Sequence, residues 1–260
     1  MPTRDQMIKV AIGDGNIAGT LVTPGTQIPG VLFVHGWGGS QQQYLTRARE
    51  VAALGCVCLT FDLRGHAETR TQYEAVSREQ NLLDVVAAYD VIASNPNVDS
   101  SAIAVVGSSY GGYLAAILTS MRAVKWLALR APALYLDSGW ELPKLQLHRD
   151  HDLVAYRKKS IPAAENRALR ACMEFQGDVL VVESENDSVI PHTVITSYVE
   201  ACTRAHSLTS RVIEGADHGL SDEGAQRSYT SLLVNWMTEM VQGARVGDKI
   251  APSSPVARSE

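Results

Sequence analysis

Five short, nearly unbroken apolar runs, at residues 30–34, 56–61, 102–106, 124–129 and 178–182, constrain the fold of this chain more than any other feature. A strand with one wet face alternates apolar and polar residues. An unbroken apolar strand has both faces covered, as in a parallel sheet held between layers of helices. Helical spacing fills the intervals at 41–54, 79–93, 113–121, 193–203 and 222–241, with Leu82, Leu83, Val86 and Tyr89 as the expected inward face of the second. Alternation around Gly13-Asp14-Gly15-Asn16 reads as an opening β-hairpin, and 208–213 as a last strand. The expected fold class is therefore α/β, a mostly parallel sheet of about eight strands with helices on both faces.

One interval breaks the rhythm. Residues 132–176 contain prolines, aromatics and the charged stretch 148–159, but no convincing buried strand. The expected division is a core of 1–131 and 177–242, a small helical lid at 132–176, and a disordered tail at 243–260. At 260 residues, 45% hydrophobic and 20% charged, the chain suits one large domain.

The chemistry centres on Gly107-Ser108-Ser109-Tyr110-Gly111, which joins the run 102–106 to the helical stretch after it. A strand that turns directly into a helix needs residues without Cβ on both sides of the bend, and the residue at its apex is pushed out beyond the sheet. The bare pentapeptide is weak evidence, since glycine is common. A serine hydroxyl also needs a base, and the base an orienting acid. His218, in Gly215-Ala216-Asp217-His218-Gly219, follows the last strand and can lean back over Ser109; His192 is the rival, with a helix-capping role as its other explanation. Asp187 follows the run 178–182, with Glu185 and Asp217 as alternative acids and a turn-capping role as the plainer reading of Asp187. His35-Gly36-Trp37-Gly38-Gly39 follows the run 30–34, so the Trp37 N–H can serve an oxyanion together with the Tyr110 N–H. The His35 side chain is expected to brace its loop by hydrogen bonding.

These blocks, together with Asp62-Leu63-Arg64-Gly65-His66, resemble the α/β-hydrolase superfamily over about residues 7–241. Ser-Tyr-Gly-Gly-Tyr is similar to the catalytic domains of prolyl-oligopeptidase-like peptidases, whereas the single-domain size and the Asp-x-Arg-Gly-His segment look more like small feruloyl or cinnamoyl esterases. The order Ser109, Asp187, His218 is the one that family uses. Two positions depart from the pattern: Ala67 and Ser184 stand where many relatives have glycine. The resemblance implies a serine hydrolase acting on a carboxylic ester, with a peptidase, amidase or thioesterase as the second reading and a non-catalytic ligand-binding homologue as the third.

No metal or organic cofactor is expected; the histidines and aspartates of 148–152 read as a solvated helical face. Tyr135, Trp140 and Tyr156 are candidate lining of the substrate pocket, and Trp37 a candidate substrate contact. A mild formal charge of −5 with no basic stripe argues against nucleic acid. The N-terminal residues lack an apolar signal core, and Cys56, Cys58, Cys172 and Cys202 show no metal-ligand spacing, so the expected setting is cytoplasmic and reduced. Expected partners are a small-molecule ester and, at most, a second copy in a homodimer, with no membrane.

Overall fold

The computed structural model describes residues 3–12, 15–24 and 27–250. Strands β3 (Ile28–Val34), β4 (Val57–Thr60), β5 (Val98–Ser108), β6 (Trp126–Arg130), β7 (Asp178–Ser184) and β8 (Ser207–Ile213) form one parallel sheet in the order β4-β3-β5-β6-β7-β8. The sheet therefore has six strands, not eight. β1 (Thr3–Ile12) and β2 (Gly15–Pro24) pair antiparallel with each other in a separate two-stranded sheet. Alternation correctly marks them as strands, but a hairpin ladder satisfies its own backbone, and the pattern does not say which sheet a strand joins.

Eight helices connect and cover the described strands: α1 (Leu45–Ala52), α2 (Arg78–Ala93), α3 (Tyr110–Leu118), α4 (Lys144–Asp150), α5 (Leu153–Arg157), α6 (Arg167–Glu174), α7 (His192–Ala201) and α8 (Glu223–Ile250). The period-two geometry of the strands sorts their apolar residues into two cores. Leu32, Val34, Ile103, Val105, Leu127, Leu129, Val179 and Val181 pack with α2, α3, α6 and α7. Their neighbours Val31, Phe33, Ala104, Val106, Trp126, Ala128, Leu180 and Val182 pack on the other face with α1 and α8. The central strands β3, β5, β6 and β7 are thus dry on both faces, as the unbroken runs require, while the edge strands β4 and β8 are partly exposed.

Helix α2 begins at a capping box: the Ser77 hydroxyl accepts from the Gln80 N–H, and the Gln80 side chain accepts from the Ser77 N–H. Its inward face is Leu82, Val85, Ala88, Tyr89 and Ile92, with Val86 packed at its edge; of the residues expected there, only Leu83, 53% exposed, faces out. Helix α8 continues to Ile250, past the expected end at Val241 and into the stretch expected to be disordered; 251–260 lie outside the described residues.

Between β6 and β7 the chain forms α4, α5, a single 3-10 turn at Ala163–Glu165, and α6. Leu147, Leu153, Leu169 and Cys172 from this segment belong to the same core as α3. The stretch 148–159 is solvated at His148–Asp152, but Arg157 is 6% exposed and donates to the Leu134 carbonyl. No described helix is long and apolar enough to cross a membrane.

From β3 the chain steps outward to β4, then returns to the other side of β3 as β5. Where the direction of winding reverses, the loops after β3 and β5 diverge and leave a crevice at the carboxyl ends of the strands. Those two loops carry Trp37 and Ser109.

Candidate active site

Ser109 sits between β5 and α3 with φ 52° and ψ −117°. A residue with a side chain is rarely held in such a conformation, which costs roughly 1–3 kcal/mol. The flanking glycines make the bend feasible: a Cβ on Gly107 would lie 2.5 Å from the Gly111 carbonyl oxygen, and one on Gly111 would collide with the carbonyl of Val34. The bend is tied to the end of β6 in both directions. The Ser109 N–H donates to the Arg130 carbonyl at 2.9 Å, and the Ser109 carbonyl accepts from the Ala133 N–H at 3.0 Å.

Beyond β7, Asp187 anchors its loop through one carboxylate oxygen, which accepts from the N–H groups of Val189 and Ile190 at 2.8 and 2.7 Å. The other oxygen accepts from His218 Nδ1 at 2.6 Å. With Nδ1 carrying the proton, Nε2 is left as an acceptor, and it lies 3.0 Å from Ser109 Oγ. Burial raises the Asp187 carboxyl pKa, but the bonds from His218, Ile190 and Val189 outweigh it and hold the group below the usual carboxylate value. The turn-capping and His-orienting readings of Asp187 are therefore both realised, one on each oxygen.

The rivals are elsewhere. Glu185 accepts from the Gly215 N–H at 2.7 Å, Asp217 accepts from Ser221, and His192 Nδ1 lies 2.9 Å from Glu183. His192 does not cap α7, whose N-cap is Pro191 with no side-chain cap bond.

The Trp37 loop touches the bend: a Cβ on Gly36 would lie 3.3 Å from Ser109 Cβ and 3.9 Å from Oγ. Two buried histidines hold that loop. His35 Nδ1–H donates to the Gly36 carbonyl at 2.8 Å, while its Nε2 accepts from the Leu63 N–H at 3.0 Å. His66 Nε2 accepts from the Gly38 N–H at 3.0 Å, with Nδ1 against the Leu63 carbonyl at 3.2 Å. Each loop thus supplies a histidine that binds the backbone of the other. Burial is the largest cause that lowers both imidazole pKa values, favouring the neutral rings these bonds need. His66 is 1% exposed and sits in a left-handed turn made by Gly65 (φ 85°) and Ala67 (φ 45°). The family glycine that Ala67 replaces would occupy that conformation without strain.

Ser109, His218 and Trp37 line one cavity of about 350 Å³, together with Gln43, Arg47 and Arg130. Tyr135, Trp140 and Tyr156 do not line it. Tyr135 is 3% exposed with its ring edge-on to Tyr110 and Tyr113, Trp140 stacks on Tyr113 between Arg78 and Arg167, and the Tyr156 hydroxyl lies 3.3 Å from Asn166. Behind the Trp37 ring, Lys144 Nζ is buried 4.0 Å from the Trp37 centroid, 4.9 Å from Tyr110 and 5.1 Å from Tyr135. Burial, then Arg157 and Arg78, push its pKa well below the ordinary lysine value.

Sequence reasoning overlooked Arg130. It is 7% exposed and donates to Ser108 Oγ, Ser184 Oγ and the His218 carbonyl at 3.2, 3.3 and 2.9 Å. It thus connects the Ser108 side chain next to Ser109, the end of β7 ahead of Asp187, and the His218 loop. An arginine closing the apolar strand Trp126–Arg130 was the available signal. The second family departure, Ser184, supplies one of its acceptors.

Residues 41–244 match the sequence profile of the prolyl oligopeptidase family. The chain belongs to the prolyl oligopeptidase family. The span of this prolyl oligopeptidase family member that matches includes Ser109, Asp187 and His218 and begins just after the Trp37 loop. Comparison with curated protein sequences gave no match. Among solved structures, one from work on the metagenome-derived lipolytic enzymes LipS and LipT is 17% identical, with TM-score 0.63 over 82% of this chain and 95% of that one. Est1E from Butyrivibrio proteoclasticus, with ferulic acid bound, is 16% identical, with TM-score 0.62 over 83% and 90%. The Pyrococcus furiosus esterase Pf2001 is 17% identical, with TM-score 0.61 over 92% and 93%. These likenesses identify the α/β-hydrolase fold.

Proposed function

We propose that this family member is a serine hydrolase that cleaves a carboxylic ester of a small or medium organic substrate. The observation that carries the reading is the line of hydrogen bonds from Asp187 through His218 to Ser109 at a cavity of about 350 Å³. His218 Nε2 takes the hydroxyl proton as Ser109 Oγ bonds to the carbonyl carbon, and Asp187 stabilises the imidazolium. The Trp37 and Tyr110 N–H groups, which have no acceptor among the described residues, donate to the oxyanion. The alcohol leaves with the proton from His218. Water, activated by the same imidazole, then releases the acid from the acyl-enzyme.

The family match favours a second reading, peptide or amide cleavage by the same three residues. Matched ester, amide and thioester substrates with one acyl group separate the two. The ester reading expects kcat/KM for the ester to exceed that for the amide, and a dominant amide activity would overturn it.

A further inference from the structure

The cavity beside Ser109 has a one-sided charge. Arg47 and Arg130 line it, and among the described residues no aspartate or glutamate does, in a chain of formal charge −5. Arg130 is engaged with Ser108, Ser184 and His218. Arg47 is not so engaged. One Nη donates to the Gln43 carbonyl at 3.1 Å, and Nε is buried without an acceptor among the described residues. The guanidinium lies 5.0 Å from the Tyr229 centroid and 6.0 Å from that of Tyr44, so two rings support it. The neighbouring acids form no ion pair with it among the described residues: Glu223 pairs with Arg227 at 3.2 Å, Asp217 accepts from Ser221, and Glu50 lines the adjoining groove, which Arg47 also borders. The buried Nε without an acceptor carries a cost, and the half-buried Nη groups keep donors that a ligand's acceptors can fill.

We infer that the substrate is a small ester bearing a second, ionised carboxylate, and that Arg47 recognises that carboxylate. The inference rests on the ester-hydrolase reading and names its substrate class. The planar fork of arginine accepts a carboxylate through two parallel N–H···O bonds, which a lysine cannot reproduce. The cavity is near the small end of ligand pockets, in keeping with a short-chain acid rather than a long acyl tail. Chemically, one water is consumed, the ester C–O bond breaks, the alcohol leaves protonated and the free acid is released. The recognised carboxylate is unchanged.

The test compares monomethyl glutarate with dimethyl glutarate, which differ in one carboxylate, by pH-stat on wild type, Arg47→Gln and Arg47→Lys. The expected wild-type kcat/KM is higher for the monoester. Its ratio to the diester should fall about tenfold or more in Arg47→Gln and recover only in part in Arg47→Lys. A ratio that Arg47→Gln leaves unchanged overturns the inference while leaving the ester reading intact. Calorimetric titration of monomethyl glutarate into Ser109→Ala, with and without Arg47→Gln, separates binding from chemistry. Arg47-dependent binding without hydrolysis by wild type supports the anion site and contradicts the ester reading. Absence of binding to Ser109→Ala counts against the anion site.

Discussion

Two histidine arrangements stand at the carboxyl ends of the strands, and they differ in what each ring nitrogen faces. In the clasp between the loops after β3 and β4, both nitrogens of His35 and of His66 meet backbone groups: Nε2 accepts an N–H, and Nδ1 faces a carbonyl. In the line through His218, Nδ1 meets the Asp187 carboxylate and Nε2 meets a hydroxyl at a cavity wall. A proton added to His35 or His66 would replace an acceptor by a donor facing an N–H, so those rings are held neutral. A proton added to His218 stays beside a carboxylate. The same side chain is a fixed brace in one place and, on the proposed reading, a proton carrier in the other, and burial and the ring's partners together make the difference.

Breaking the His218 line should have the largest effect. Ser109→Ala is expected to lower kcat for the best ester by roughly a thousandfold or more with the fold intact, read by steady-state kinetics and circular dichroism. Asp187→Asn keeps the shape but removes the charge and favours the wrong His218 tautomer. Its expected loss in kcat is at least about a hundredfold, smaller than that of Ser109→Ala.

Breaking the clasp should act on stability first. His66→Leu removes the acceptor for the Gly38 N–H and should cost about 1–3 kcal/mol, seen as a lowered Tm, with a smaller loss of kcat as the Trp37 loop loosens. The clasp also fixes a pH dependence. The folded pKa values of His35 and His66 lie below the ordinary 6.5, so the unfolded chain binds more protons below that pH. Stability is full above about pH 6.5 and falls as the pH drops toward the lowered folded values. A Tm series from pH 7.5 to 5 should show this decline, and His66→Leu should flatten it. The smallest expected effect is Ala67→Gly. Relief of the left-handed φ of 45° should offset the extra chain entropy, leaving a gain of less than about 1 kcal/mol by chemical denaturation.

The sheet and the line from Asp187 through His218 to Ser109 were legible for one physical reason. Strands dry on both faces are unbroken apolar runs, and in a parallel sheet the loops following them gather at one edge. Ser109, Asp187 and His218 could therefore be placed together from strand ends alone. The opening hairpin was legible as a hairpin, but its standing apart from the main sheet was not, because alternation reports a strand's faces and not which sheet it joins. On α2 only Leu83 was misplaced, because it is apolar yet exposed, while Leu82, Val86 and Tyr89 do face the core. Buried cations were the least legible class. Arg130, Lys144 and Arg157 find carbonyls, hydroxyls and aromatic faces far away in the chain, and only Arg130, at the end of an apolar strand, carries a local sign of burial.

The central claim is that the environment of His218, unlike that of His35 or His66, activates a single hydroxyl. Reaction with a fluorophosphonate followed by peptide mass mapping tests it most directly. Wild type should gain one phosphonyl adduct on Ser109, Ser109→Ala should gain none, and His66→Leu should still react. A folded wild-type protein that stays unlabelled, or one labelled at another serine, would contradict the account.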